Sequence, residues 1–337
     1  MKKILVSIGI FLSLTILFTS CSLPVGKVIT VGNVEVDKEI YTYYLDSAIA
    51  SSESEPDSAA AMKEAAENCV HYIAVNTVFS EMKLSLTDSK KNEVSQTVND
   101  LWRLYGNYYE KIGVSKQTLT KVYESKAYEN AIFLAYYDTD GLTPVPEETV
   151  QKYFTDNYVV IKSINGYLTD VDENGNTISM DAESRQKTTA SFESFVTKIN
   201  GGSMIDDVYA EYIGQEGSTV QPVVVNKDSS LYPEGFFDSV KAIEEDKAKV
   251  IVIGDYIFAV QRLAPDSDSN IYYQLNREDC LLNIKGEEFE GLVSQWTGKY
   301  SFEVNQRKAK ACYKKIAENS SAFSAFENET LSETEIQ

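Results

Sequence analysis

The feature that most constrains this chain is a repeated change of hydrophobic period in its middle part. YVVIKSINGYL, residues 158–168, reads as a strand. Helical patterns follow at Ala182–Ile199 and Ile205–Ile213, a strand at Gln221–Val225 and a short helix at Glu234–Ala242. KVIVI and YIFAVQRL then flank Gly254–Asp255, a β-hairpin signature. The order is strand, helix, helix, strand, helix, strand, strand, which places the chain in the α+β class.

The flanks are helical. KVITVGNVEV (residues 27–36) reads as a short strand with Gly32–Asn33 as its turn, and Asp37 is placed to cap a helix over Lys38–Ala50. Longer helices are expected at Ala59–Leu84, at Lys90–Ile112 and from Ser115 to Tyr137. In the second of these, Val94, Val98, Leu101, Tyr105, Tyr108 and Ile112 recur at steps of three and four, an amphipathic stripe ended by Gly113. Pro146, Glu147 and Glu148 open a short helix that runs to Asp156 and leads into the strand at 158. After the hairpin, a linker reaches Ile271. A helix over 274–297, a strand in KYSFEVN (299–305) and helical turns at Gln306–Ala317 follow. Residues 318–337 contain five glutamates and no basic residue, the composition of a disordered tail.

Hydrophobic residues make up 43% of the chain and charged residues 24%, so most of it should fold despite a formal charge of −20. That charge argues against a nucleic-acid surface, which needs a basic face. One histidine, His71, excludes multi-histidine zinc centres; it falls in a helical pattern and reads as structural or partly exposed. The acidic run 170–182 lacks the spacing of a calcium loop and reads as a solvated turn at Asp172–Gly175. No cofactor site is evident. Cys69 falls on an apolar helical pattern and is expected to pack there. A bridge between Cys280 and Cys312 is not expected.

Met1, Lys2 and Lys3 precede an apolar run from Ile4 to Phe18. The run is short for a membrane span and is the pattern of an export signal. Phe18–Thr19–Ser20–Cys21 resembles the bacterial lipobox, with Phe18 an uncommon first member. This reading gives a signal peptide over 1–20, a lipidated Cys21 and a tether over 21–26. A plain secreted protein and an uncleaved anchor are the alternatives. Cleavage removes Lys2 and Lys3 and takes the formal charge from −20 to −22. A surface of that sign is expected to stand off anionic lipid, with the acyl group doing the anchoring.

The element order between 158 and 263 resembles the parvulin prolyl-isomerase fold. The flanks, the opening ITVGNVEVDKEIYTYYL and the entry VPEETVQKYFTDNYVVIKSI resemble the extracytoplasmic foldase lipoproteins of Gram-positive bacteria and the SurA-type periplasmic chaperones. The resemblance covers roughly 28–315. It implies a helical chaperone lobe built from N- and C-terminal segments, with an inserted parvulin-like antiparallel sheet domain flanked by helices. The expected divisions are an N-terminal lobe over 27–156, the sheet domain over 157–265, and a segment over 266–317 that completes the lobe. Location on the extracytoplasmic face of the membrane is implied as well.

The site implied by the resemblance is degenerate. Ser163 stands where the family carries its first histidine, and the second falls near Phe258. The family's glycine-aromatic-glycine stretch is also missing. A prolyl isomerase lowers a barrier of about 20 kcal/mol by holding a twisted imide in a low-polarity pocket, with no covalent nucleophile. Loss of both histidines therefore removes a positioning network without strictly abolishing activity. YPEGFF, with Tyr232, Phe236 and Phe237, resembles the family's proline-binding wall.

The function implied is a membrane-anchored foldase or chaperone for unfolded or partly folded exported polypeptides, with weak or no isomerase activity. An active peptidyl-prolyl isomerase and a partner-binding envelope scaffold are the alternatives. Aromatics at 11% of the chain, many in the helical part, fit client binding; each single one is expected to be core. Tyr43–Tyr44 and Tyr108–Tyr109 are adjacent on helices, so part of that tyrosine surface, Tyr108 and Tyr109 in particular, is a candidate client contact.

Overall fold

A computed structural model describes residues 27–52, 57–264 and 271–320. The signal segment, Cys21 and most of the acidic tail lie outside the described residues. In chain order the elements are β1 (Ile29–Val31), β2 (Val34–Val36), α1 (Lys38–Ala50), α2 (Ser58–Glu81), α3 (Asp88–Ile112), α4 (Lys116–Tyr137), α5 (Glu147–Asn157), β3 (Tyr158–Tyr167), β4 (Thr169–Val171), β5 (Thr177–Ser179), α6 (Ala182–Asn200), α7 (Ile205–Ile213), β6 (Val223–Asn226), α8 (Phe236–Lys241), β7 (Ala248–Ile253), β8 (Tyr256–Leu263), α9 (Ile271–Thr297), β9 (Phe302–Val304) and α10 (Gln306–Ala317). The fold is α+β, with antiparallel sheets flanked by helices, and its element order matches a parvulin-like domain within a helical lobe. Two compact units divide the chain: Met1–Ala131 with Val293–Gln337, and Ile132–Leu292.

In the first unit, local rules set the helix ends. The Asp37 carboxylate accepts from the Glu39 amide at 3.0 Å, and Thr87 caps α3 through the Lys90 amide. Gly113 ends α3 at φ +85°, a left-handed conformation that disfavours any side chain. The first and last strands then meet: β9 pairs antiparallel with β1, and β1 with β2, in the order β2-β1-β9. α10 packs against α1, α2 and α3. Val28, Ile29, Tyr41, Leu45, Ala65, Cys69, Leu119, Val122, Cys312 and Ile316 fill the core.

α1 is enclosed nearly all round. Ile40, Tyr41, Thr42, Tyr43 and Leu45 are all buried, and Tyr44 is half-buried. The adjacent tyrosines therefore do not present an open face. Tyr43 stacks on Tyr109 at 6.5 Å, and Tyr108 and Tyr109 are half-buried against the same core. The large apolar side chains exposed on α3 are Leu104 and Tyr105 instead. His71 faces Glu129, with Nε2 and Oε2 at 2.9 Å.

The second unit holds a four-stranded sheet of order β6-β3-β8-β7, with all three pairings antiparallel. Strand alternation gives it two faces. Val159, Ile161, Phe258 and Val260 pack with α8 on one; Ile164, Ile257 and Ala259 pack with α6 and α7 on the other. At Gly166 a side chain would meet the Phe192 ring at 2.6 Å, so the glycine lets α6 seat close to β3. The run expected as a plain turn at 170–182 forms the hairpin β4–β5. Asp172 holds its loop by accepting from the amides of Asn174 and Asn176. α8 begins at Phe236, because Gly235 takes a left-handed conformation at φ +81°.

Away from the sheet, Arg277 on α9 joins two carboxylates. It lies 2.8 Å from Asp138 and 2.9 Å from Glu147, and the Tyr273 hydroxyl donates to Glu147. Burial raises both carboxyls, but Arg277 with Tyr273 at Glu147, and Thr139 with Arg277 at Asp138, outweigh it and leave both below their ordinary values. Phe289 meets Phe133 and Tyr137 edge to face, and those two rings are tilted against each other at 5.2 Å. Cys69, Cys280 and Cys312 are free, buried thiols.

Candidate functional site: an aromatic cleft on the sheet

The cleft follows from strand parity. On β3, residues 159, 161, 163, 165 and 167 face α8; on β8, residues 256, 258 and 260 do the same. Antiparallel register sets Ser163 opposite Val260 and Asn165 opposite Phe258. Ser163 and Phe258 are therefore diagonal neighbours on one face. α8 covers only part of that face. Beyond it the sheet opens into a cleft of about 300 Å³ lined by Asn165, Gly166, Tyr167, Ser230, Leu231, Tyr232, Pro233, Tyr256 and Phe258.

Its walls are aromatic. Tyr232 stacks on Phe236 at 4.2 Å, nearly parallel, and Phe236 meets Phe258 at 4.8 Å. Phe236 is fully buried, so it braces Tyr232 from below. Phe237 is half-buried beside it, with the Lys241 ammonium 5.6 Å from its ring. Tyr256 stacks over Phe258, Tyr167 meets Tyr256 at 5.5 Å, and both tyrosines are exposed, at 44% and 64%. An extended apolar segment could lie against these rings without a strict sequence requirement.

The polar groups are neutral. Ser163 Oγ donates to Asn165 Oδ1 at 2.7 Å, and the Tyr232 phenol lies beside Ser163. Burial raises the Tyr232 phenol above its ordinary value, only partly offset by Ser163, so it stays protonated at neutral pH. This set can present dipoles to a carbonyl; it contains no base for a nucleophile. Among the described residues, no three His, Cys, Asp or Glu side chains gather as metal ligands.

Of the expected positions, Ser163, Phe258, Tyr232, Phe236 and Phe237 come together around this face. Tyr108 and Tyr109 lie on α3 in the other unit, where the Tyr108 hydroxyl donates to Asp46. Cys21 lies outside the described residues. Sequence reading passed over Asn165, Tyr167 and Tyr256. Alternation carried the signal: each is two residues from a position already singled out, or two further on.

No protein-family model matches the chain, and no curated protein matches it. Solved structures similar to it include the foldase protein PrsA from Lactococcus lactis, at 12% identity over 89% of this chain and 99% of that one, TM-score 0.40. PrsA from Streptococcus pneumoniae matches at 15% identity over 74% and 84%, TM-score 0.35. A solved structure from work on the SurA-like chaperones PEB4 and Cj1289 of Campylobacter jejuni matches at 11% identity over 82% and 98%, TM-score 0.27. Among the described residues, no helix is long and apolar enough to cross a membrane.

Proposed function

We propose that this chain is a lipid-anchored, extracytoplasmic foldase or chaperone that takes apolar segments of unfolded exported polypeptides into its aromatic cleft. The observation that carries the reading is the exposed pair Tyr167 and Tyr256, set over Phe258 and Tyr232 on an open sheet face. The Lys-Lys start, apolar core and Cys21 support export and anchoring.

Isomerisation is weak or absent in this reading. The cleft offers a phenol, a hydroxyl and a carboxamide where the resemblance implies histidines. Those dipoles support the alternative of an active isomerase, since a twisted imide needs only a low-polarity wall and a hydrogen-bond donor. The test is refolding of a substrate limited by proline isomerisation, run beside suppression of its aggregation. Suppressed aggregation with an unchanged slow phase is expected. A slow phase accelerated at substoichiometric protein would replace the chaperone reading with the isomerase one, and absence of both effects would leave a scaffold.

A further inference from the structure

Residues 299–317 carry six basic residues and one acid, Glu303, in a chain of charge −20. Five of the six, Arg307, Lys308, Lys310, Lys314 and Lys315, lie on α10. Successive helix residues turn by about 100°. The five therefore share one arc, opposite the buried Ala309, Cys312 and Ile316. Packing of that apolar stripe on α1, α2 and α3 turns the basic arc outward, and Arg307, Lys310, Lys314 and Lys315 are exposed. Glu318 lies 3.8 Å from Lys314, and Glu35 pairs with Lys27. Among the described residues, no carboxylate pairs with Arg307, Lys310 or Lys315.

α10 also starts where the chain leaves its N-terminal segment. Asn305, its cap, donates its amide to the Val28 carbonyl at 2.8 Å, and Val304 pairs with Ile29. Val28 is seven residues beyond Cys21, a reach of at most about 25 Å. A lipid on Cys21 would thus hold the start of α10 within that distance of the headgroups. Acids elsewhere on the body are screened beyond about 8–10 Å, so the local sign decides what this face attracts.

We propose that the basic arc of α10 docks on anionic lipid headgroups and orients the tethered body on the membrane. This rests on the lipid-anchor part of the proposed function. On this face it replaces the expectation, drawn from net charge, that the body stands off anionic lipid.

The test uses the chain from residue 21 onward with Cys21→Ser, which separates the face from the anchor. It is mixed with vesicles of phosphatidylcholine alone or of equal phosphatidylcholine and phosphatidylglycerol, at low and high salt. Binding to the anionic vesicles only, lost at high salt, is expected. At about five-fold per cation, Arg307→Glu with Lys310→Glu and Lys314→Glu should weaken it about a hundredfold, with circular dichroism unchanged. Equal binding to both vesicles, or binding untouched by the three substitutions, overturns the proposal. So does binding seen only after Glu327→Gln, Glu329→Gln, Glu333→Gln and Glu335→Gln, since the acidic C-terminal segment would then cover the arc. The anchor is tested apart, by the mass of the wild-type chain from membranes. A Cys21 without acyl mass sinks the anchor and leaves the vesicle result standing.

Discussion

Helix α1 in the first unit and the open end of the four-stranded sheet in the second use tyrosine in opposite ways. In the first, Tyr41, Tyr43 and Tyr44 sit on a helix enclosed by its neighbours, and their rings fill space between α1, α2 and α3. In the second, Tyr167 and Tyr256 stand at the ends of paired strands, where α8 no longer covers the sheet. The residue type is the same; the difference is whether a second layer closes over it. Aromatic abundance in a helical region is thus poor evidence for a binding surface, while an uncovered strand end is better evidence.

The strongest way to break this contrast is Phe258→Ala, which removes a buried ring beneath the cleft. A loss of about 3–5 kcal/mol is expected, confined to the sheet unit. Hydrogen exchange should show β3 and β8 amides deprotected while α1–α3 keep their protection. Collapse of protection in α1–α3 would show that the units do not fold separately.

Arg277→Met comes next, at about 2 kcal/mol, because it strips charge-assisted hydrogen bonds from Glu147 and Asp138. The sign of its pH dependence follows from the carboxyls. Both are held below their ordinary 4.5 and 3.8. Their contribution is full above about pH 4.5 and is lost as pH falls through the depressed folded values. The gap between wild type and variant, read by urea unfolding, should therefore narrow in acid. A gap constant from pH 7 to pH 3 would mean the carboxyls do not carry it.

The smallest effect on stability is expected from Tyr167→Ser with Tyr256→Ser, at most about 1 kcal/mol for exposed rings. The same pair should weaken binding of an unfolded polypeptide several-fold, whereas Tyr105→Ser on α3 should leave it unchanged. Equal losses from both would return client contact to the helical unit.

Much of the architecture was legible because the signals were local. Asp37 was readable as a cap, Gly113 as a stop and Gly254–Asp255 as a hairpin turn. The hairpin β4–β5 was not, since three-residue strands are too short for alternation to register. α8 starts two residues beyond the Glu234 that the sequence pattern suggests, because Gly235 is left-handed. At the cleft, Ser163, Phe258 and Tyr232 were visible through family resemblance. Asn165, Tyr167 and Tyr256 needed the register of β3 against β8 to be known.

The sequence by itself determined most helix ends and which stripes are apolar, since capping, turn chemistry and periodicity act within a few residues. Only the tertiary structure decided what depends on distant partners. β9 joins β1 from the far end of the chain, and Arg277 finds Glu147 130 positions away. The exposure of each tyrosine, too, was set by the layer that does or does not pack over it.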